Sequence, residues 1–182
     1  MFETERLVVR APVESDRLRF VEMFTDPLFT VFSNVEHDGE SANARFDQML
    51  ALADVVPYAK RPVIERTTGD IVGYTGVGQV LLDGRNRLEW GWRFVPEVRG
   101  RGYATEATNA LLETADRLVD GSMLCVVAGD NVPSRRVAHK VGFRSWRVHN
   151  WPGDPATYDL LIRPIGAGGA PLLAPAQPRW SS

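Results

Sequence analysis

The chain has 182 residues, a length that fits one domain. Its 44% hydrophobic content is ordinary for a globular protein, and its formal net charge of −2 gives no overall basic field, so nucleic acid is not expected as the main partner. A single cysteine rules out an internal disulfide framework, and the absence of a signal pattern or an apolar stretch near ~18 residues points to a cytoplasmic protein with no membrane partner.

Leu7, Val8 and Val9, between Arg6 and Arg10, read as a short strand ended by Pro12. A helical pattern starts at Ser15, with Leu18, Val21 and Phe24 on one face, and Asp26-Pro27 stops it. Residues 29–39 show no clean period and read as a loop. Ser41 is placed as the cap of a second helix bearing Phe46, Met49, Leu50 and Ala53. Strands over 62–66 and 71–77 flank the turn Thr67-Thr68-Gly69-Asp70, a hairpin signal. A third strand spans 88–95, after the polar turn Asp83-Gly84-Arg85-Asn86, and ends at Pro96.

Then comes Glu97-Val98-Arg99-Gly100-Arg101-Gly102, followed by a long helix with Ala104, Ala107, Leu111, Leu112 and Ala115 on its apolar side. Residues 123–128 are an apolar run suited to a strand buried on both faces, which makes Cys125 a structural thiol rather than a nucleophile. Pro133 opens a short helix with Val137 and Val141, which ends at Gly142. Strands over 143–148 and 157–163 are joined by the turn Trp151-Pro152-Gly153-Asp154-Pro155, and the Gly/Ala/Pro-rich residues 164–182 are expected to be a disordered tail. The order is β-α-α-β-β-β-α-β-α-β-β. It predicts an α/β (α+β) fold over residues 1–163: a single-domain, mixed, mostly antiparallel sheet flanked by helices.

The glycine-rich turn carries the chemistry. The first amides of a helix lack internal partners and sit at the positive end of its dipole. Gly100 and Gly102 strip away side chains that would hold a phosphate off the backbone, and Arg99 and Arg101 add charge. Together they suit a pyrophosphate. No Gly-Lys pair exists for a P-loop, and Thr105 stands where a dinucleotide fold needs its third glycine or alanine.

Arg99, Gly102 and Ala104 do fill the pattern Arg/Gln-x-x-Gly-x-Gly/Ala. In this the chain resembles the GCN5-related N-acetyltransferase (GNAT) family, whose acetyl-CoA signature that is. Thr4-Glu5-Arg6-Leu7-Val8-Val9-Arg10, Thr68-Gly69-Asp70-Ile71-Val72-Gly73 and Glu89-Trp90-Gly91-Trp92 resemble the branch that acetylates N-terminal amines of ribosomal proteins. So do Gly102-Tyr103-Ala104-Thr105-Glu106-Ala107 and Asn131-x-x-Ser134 followed by Lys140-Val141-Gly142-Phe143.

The resemblance implies the acyl-CoA N-acyltransferase fold and acetyl-CoA (coenzyme A) as cosubstrate. The acceptor would be a small-molecule amine or a peptide N-terminus, and a homodimer is compatible with it. It also implies that Phe94 and Val95 pair with the pantetheine arm through main-chain groups. Backbone amides of Val98, Arg99, Gly100, Arg101, Gly102, Tyr103 and Ala104 would hold the pyrophosphate. Asn131 would contact the pantetheine side, and Ser134 would lie near the thiol.

Amine attack on a thioester needs a neutral amine, a donor for the oxyanion and a weak acid for the thiolate. Glu89, acting through a water, is the candidate base, a Val95 amide the candidate oxyanion donor and Ser134 the candidate acid. Many relatives place a tyrosine where this chain has Ala138. The acceptor pocket is expected around residues 29–40 and 146–154, with Trp90, Trp92, Trp146 and Trp151 as available walls and Trp151 exposed. Asp154 or Asp159 would meet a cationic amine. His37, His139 and His149 are read as surface residues, and no metal site is expected. Other readings left open are a CoA-binding sensor without catalysis, an enzyme for a longer acyl-CoA and a purely structural domain.

Overall fold

Runs of β-branched and aromatic residues cut by glycine and aspartate turns become strands, and apolar residues three and four apart become helix faces. A computed structural model describes residues 1–32, 37–118 and 121–166. The elements in order are β1 (Phe2–Glu3), β2 (Leu7–Val9), α1 (Arg17–Thr25), α2 (Gly39–Val55), β3 (Arg61–Glu65), β4 (Ile71–Leu82) and β5 (Arg85–Phe94). Then come α3 (Tyr103–Leu118), β6 (Gly121–Ala128), α4 (Val132–Lys140), β7 (Arg144–His149) and β8 (Tyr158–Ile165). Among the described residues, eight strands follow the order β1-β2-β3-β4-β5-β6-β8-β7. Pairing is antiparallel in β1–β2, β2–β3, β3–β4, β6–β8 and β7–β8, and parallel in β5–β6. No helix of the described residues is long and apolar enough to cross a membrane. The chain divides into two compact units.

The first unit comprises Met1–Gly76 and Trp92–Leu111. Its core joins Phe20, Met23 and Phe24 of α1 to Phe46 and Met49 of α2, with Phe29 and Tyr74 completing an aromatic cluster. The buried stripe of α1 therefore starts at Phe20. Leu18, expected on that face, is 73% exposed. The cap of α2 is Asp38, whose carboxylate accepts the Ser41 N–H at 2.8 Å. Ser41 is thus inside the first turn, where its own amide needs a cap.

Strands β4 and β5 approach closely at Gly73, where an added Cβ would sit 2.2 Å from the Arg93 carbonyl oxygen. That neighbour is backbone and cannot swing aside. Gly73→Ala is expected to destabilise the fold by at least ~2–3 kcal/mol, the upper range for overpacking, read as a lower midpoint in urea unfolding.

The second unit comprises Val77–Gly91 and the residues from Leu112 onward. Strand β6 is its spine, mostly buried, and pairs with β8 from Gly121↔Ile165 to Ala128↔Tyr158. Pro164 and Ile165, expected in the tail, belong to β8, because the buried Ile165 side chain extends the strand. Residues 167–182 of that expected tail lie outside the described residues.

Cys125 is buried, as its apolar run implies. Burial pushes its thiol well above the ordinary range, with the Glu89 charge adding to the effect. The native protein is expected to leave a disulfide colour reagent unreacted until it is unfolded.

Candidate functional site

The loop after β5 lies in the first unit. Pro96–Val98 forms one 3-10 turn, which hands the chain to a left-handed Gly100 and a left-handed Gly102 (φ +80° and +85°) before α3 begins. An added Cβ on Gly100 would meet nothing within 4 Å, so the loop is bare there. The cup is smaller than expected. The Val98, Arg99 and Arg101 amides donate to the carbonyls of Val95, Pro96 and Val98 at 3.3, 3.1 and 3.3 Å. They are turned inward by the 3-10 turn and its continuation. Among the described residues, no acceptor stands against the amides of Gly100, Gly102, Tyr103 and Ala104, which open the helix. These are the donors that remain to hold an anion.

The roles expected of Phe94 and Val95 fall on main-chain groups that already have partners. The Val95 amide donates to the Val72 carbonyl at 3.0 Å, because the segment pairs with β4. The Val95 carbonyl accepts from Val98, and the Phe94 carbonyl accepts from Arg99 Nε at 3.1 Å. Both side chains are in the core. The pantetheine pairing expected of these two residues therefore has most of its main-chain groups already engaged.

Arg99 braces the loop, since its Nη2 also donates to the Leu28 carbonyl at 2.6 Å. Arg101 is 52% exposed, and its nearest carboxylate is Glu65 at 3.6 Å. Tyr103 contributes its amide alone. Its ring is buried and its hydroxyl donates to Glu65, which raises the phenol above its ordinary range.

One group of residues had no assigned role. Arg6 donates through Nη1 to the Arg101 carbonyl at 2.9 Å and through Nε to Glu106 Oε2 at 2.8 Å. The Glu106 carboxylate also accepts from Thr4 Oγ1 at 2.6 Å and from the Arg6 amide at 3.0 Å. Burial alone would raise Glu106, but these donors outweigh it and hold the carboxyl below its usual range. The Arg6 guanidinium lies 4.8 Å from the Tyr103 ring centroid. Around the loop, Arg6 pairs with Glu106 and Arg101 lies near Glu65, Arg99 is spent on carbonyls, and Glu97 adds a third carboxylate on the 3-10 turn, so the formal charges of these six residues balance. The signal was present in sequence as Thr4-Glu5-Arg6 and Glu106, but nothing local links them.

In the second unit, β5 and β6 are in register at Glu89 and Leu124. Two residues further along β6, the Val126 amide is taken by Glu89 Oε1 at 3.3 Å. The carboxylate lies over Gly91, where an added Cβ would stand 3.4 Å from Oε2, in ordinary contact. Glu89 is half-buried and engaged with the sheet, not a solvent-facing strand residue.

Asn131 is the N-cap of α4, and its Oδ1 accepts from the Ser134 amide at 3.1 Å. Ser134 is half-buried on the first turn. Ala138 is fully buried. His139 is exposed, with Nδ1 3.1 Å from the Phe143 carbonyl, which helps close the helix end.

The expected acceptor-binding residues largely have other partners. Asp159 pairs with Arg135, Nε to Oδ2, at 2.7 Å. Asp154 accepts from the Tyr158 hydroxyl and the Ala156 amide, both at 2.8 Å. Trp151 is not an exposed platform. Its ring sits edge-on between His149 and Tyr158, and its Nε1 donates to the Leu81 carbonyl at 3.0 Å. Trp90 is fully buried, Trp92 packs against the first unit's core, and Trp146 is 38% exposed. His37 has Nδ1 2.9 Å from Thr30 Oγ1. Residues 33–36 of the expected pocket segment lie outside the described residues. No cluster of metal-ligating side chains occurs among the described residues.

A family model described as the Acetyltransferase (GNAT) domain matches residues 6–144. The Bacillus subtilis (strain 168) protein named "Uncharacterized N-acetyltransferase YnaD" is 33% identical over 86 residues. That match covers 47% of this chain and 49% of the relative, about half of the relative's length. Among solved structures, ribosomal-protein-S5-alanine acetyltransferase from Vibrio fischeri gives a TM-score of 0.72 at 16% identity, covering 93% of this chain and 98% of that one. A GNAT superfamily phosphinothricin acetyltransferase from Sinorhizobium meliloti, solved in complex with AcCoA, gives 0.71 at 18% identity, with 96% of each chain covered. At such identities the likeness is one of fold.

Proposed function

Because this chain belongs to the GNAT acetyltransferase family, we propose that it transfers the acetyl group of acetyl-CoA to a primary amine, by direct attack in a ternary complex in the cytoplasm. The observation that carries this reading is the opening of α3. Four successive or near-successive amides, those of Gly100, Gly102, Tyr103 and Ala104, meet no acceptor among the described residues, beside the exposed Arg101. Donors in that arrangement fit a diphosphate.

When bound, acetyl-CoA supplies the activated acyl group. The residues of this chain hold and prepare. The amides of residues 100 and 102–104 and the Arg101 guanidinium bind the diphosphate. Asn131 and Ser134 are proposed on the pantetheine side. Because Asn131 Oδ1 caps the helix, any contact from its side chain falls to Nδ2. Ser134 Oγ is proposed to hand a proton to the departing thiolate, whose parent thiol pKa near ~8.5, with cysteine as proxy, asks little of an acid. Glu89 is proposed to take the amine proton through a water. An α-amine, with a reference pKa of ~7.7–8.0 against ~10.4 for a lysine-type amine, asks least of a single half-buried carboxylate. Protein N-termini and small α-amino compounds are therefore the acceptors of first choice.

A second reading, a CoA-binding module without turnover, is favoured by two specific observations: Ala138 stands where many relatives carry a tyrosine, and the Val95 amide is bonded to Val72. Calorimetric titration with acetyl-CoA followed by a thiol-release assay over a panel of amines and short peptides separates the two. Binding with acceptor-dependent thiol release supports the enzyme. Binding without release for any acceptor supports the module, and no binding by folded protein removes both.

A further inference from the structure

We propose that Arg6 is a positioning residue, holding the peptide between Arg101 and Gly102 in the orientation that presents the Gly102 amide to an anion. The inference rests on the reading of residues 100–104 as a diphosphate cup. A trans peptide is planar, so its carbonyl and the following N–H point in opposite directions. No peptide bond among the described residues is cis. Arg6 Nη1 holds the Arg101 carbonyl at 2.9 Å. The Gly102 N–H on the other edge of that plane is thereby aimed away from Arg6.

The clamp answers a weakness that the glycines create. Gly102 has φ +85°, and glycine adopts either sign of φ at similar cost. Rotation about Arg101 ψ and Gly102 φ would turn the plane over and aim a carbonyl oxygen at the ligand instead of an N–H. Arg6 opposes this flip only if its own position is fixed, and it is. Nε and Nη2 both donate to Glu106 Oε2, and the Tyr103 ring lies beside the guanidinium at 4.8 Å. Glu106 in turn is held by Thr4 Oγ1 and the Arg6 amide. The same pairing covers the one carboxylate in the first turn of α3, so an incoming diphosphate does not meet it bare. A planar fork is required, because carboxylate and carbonyl are gripped at once; an ammonium carries the charge without that geometry.

The test titrates CoA and, separately, inorganic pyrophosphate into wild type, Arg6→Gln, Arg6→Lys and Arg117→Gln, with steady-state kinetics alongside. Arg117 is a control of the same charge, exposed in the last turn of α3. Its Nη2 reaches Thr114 Oγ1 at 3.3 Å. Arg6→Gln is expected to weaken both ligands at least ~10-fold and to raise KM for acetyl-CoA by the same factor, since apparent affinity scales with the fraction of correctly oriented cup. Its kcat should stay within about threefold, a split that general loss of structure would not give. Arg6→Lys should recover less than half of the loss on a logarithmic scale, and it carries the test alone if Arg6→Gln does not fold. Arg117→Gln should stay within about twofold of wild type, as expected for an exposed charge at the other end of α3. Unchanged CoA affinity in Arg6→Gln, full recovery in Arg6→Lys or an equal loss in Arg117→Gln each overturns the proposal. Wild type that binds neither ligand overturns the cup reading itself, and the inference with it.

Discussion

Gly102→Asp is expected to remove CoA binding from the calorimetric range while leaving the protein folded. The strain is modest. Gly102 has φ +85°, and aspartate is among the side chains that tolerate the left-handed region. The charge is the larger effect. A carboxylate held ~5 Å from a phosphate at an effective dielectric of ~20 is opposed by ~3 kcal/mol for each unit charge, about two orders of magnitude in affinity. A second consequence adds to this. The new Cβ would lie 3.5 Å from Arg6 Nη2. The carboxylate would therefore compete with Glu106 for the guanidinium and loosen the hold on the Arg101 carbonyl.

Gly102→Ala separates the two effects. It carries the strain without the charge and is expected to lose only a few-fold, in line with ~1 kcal/mol for a non-glycine residue in this region. If the aspartate variant bound CoA as the alanine variant does, the diphosphate would not lie at these amides.

What could be read from the chain and what could not divide by sequence distance. The hairpin at residues 67–70, the buried strand around Cys125 and the loop with two left-handed glycines are local patterns, and each appears where local chemistry puts it. Even local rules left ties. Asp38 and Ser41 are both good caps, and the structure uses the carboxylate to hold the serine's amide. Leu18 and Phe20 both belong to helical stripes, and the aromatic cluster with Phe46 and Tyr74 selects Phe20.

The long-range pairings were not legible. The Val95 amide looked available because its partner, Val72, sits on another strand. Asp159 looked ready for a substrate amine because Arg135 belongs to a different element. Arg6 and Glu106, 100 residues apart, carry no mutual signal at all. Motifs therefore point to the loop, and tertiary pairing decides which of its amides remain open.

Glu89→Gln is expected to lower kcat by ~10²-fold or more near neutral pH, within the range assigned to general base catalysis, with KM for acetyl-CoA unchanged. The substitution is a sharp one because glutamine keeps the shape and an acceptor oxygen. The Val126 amide that now donates to Glu89 Oε1 would keep its partner, and the room over Gly91 would still suffice. What disappears is the capacity to take a proton. The deficit should depend on pH with a definite sign. Below the acceptor's pKa most amine is protonated, so the variant suffers most. Above it the amine is already neutral, and the gap to wild type should close. For an α-amine, with its pKa of ~7.7–8.0, closure should be well advanced by about pH 9; for a lysine-type amine it should not have begun. The profile of the variant thus reports on the acceptor class as well as on the base. A rate equal to wild type between roughly pH 6 and pH 9, with any acceptor that turns over, would clear Glu89 of the role and leave it a residue that holds the Val126 amide of β6.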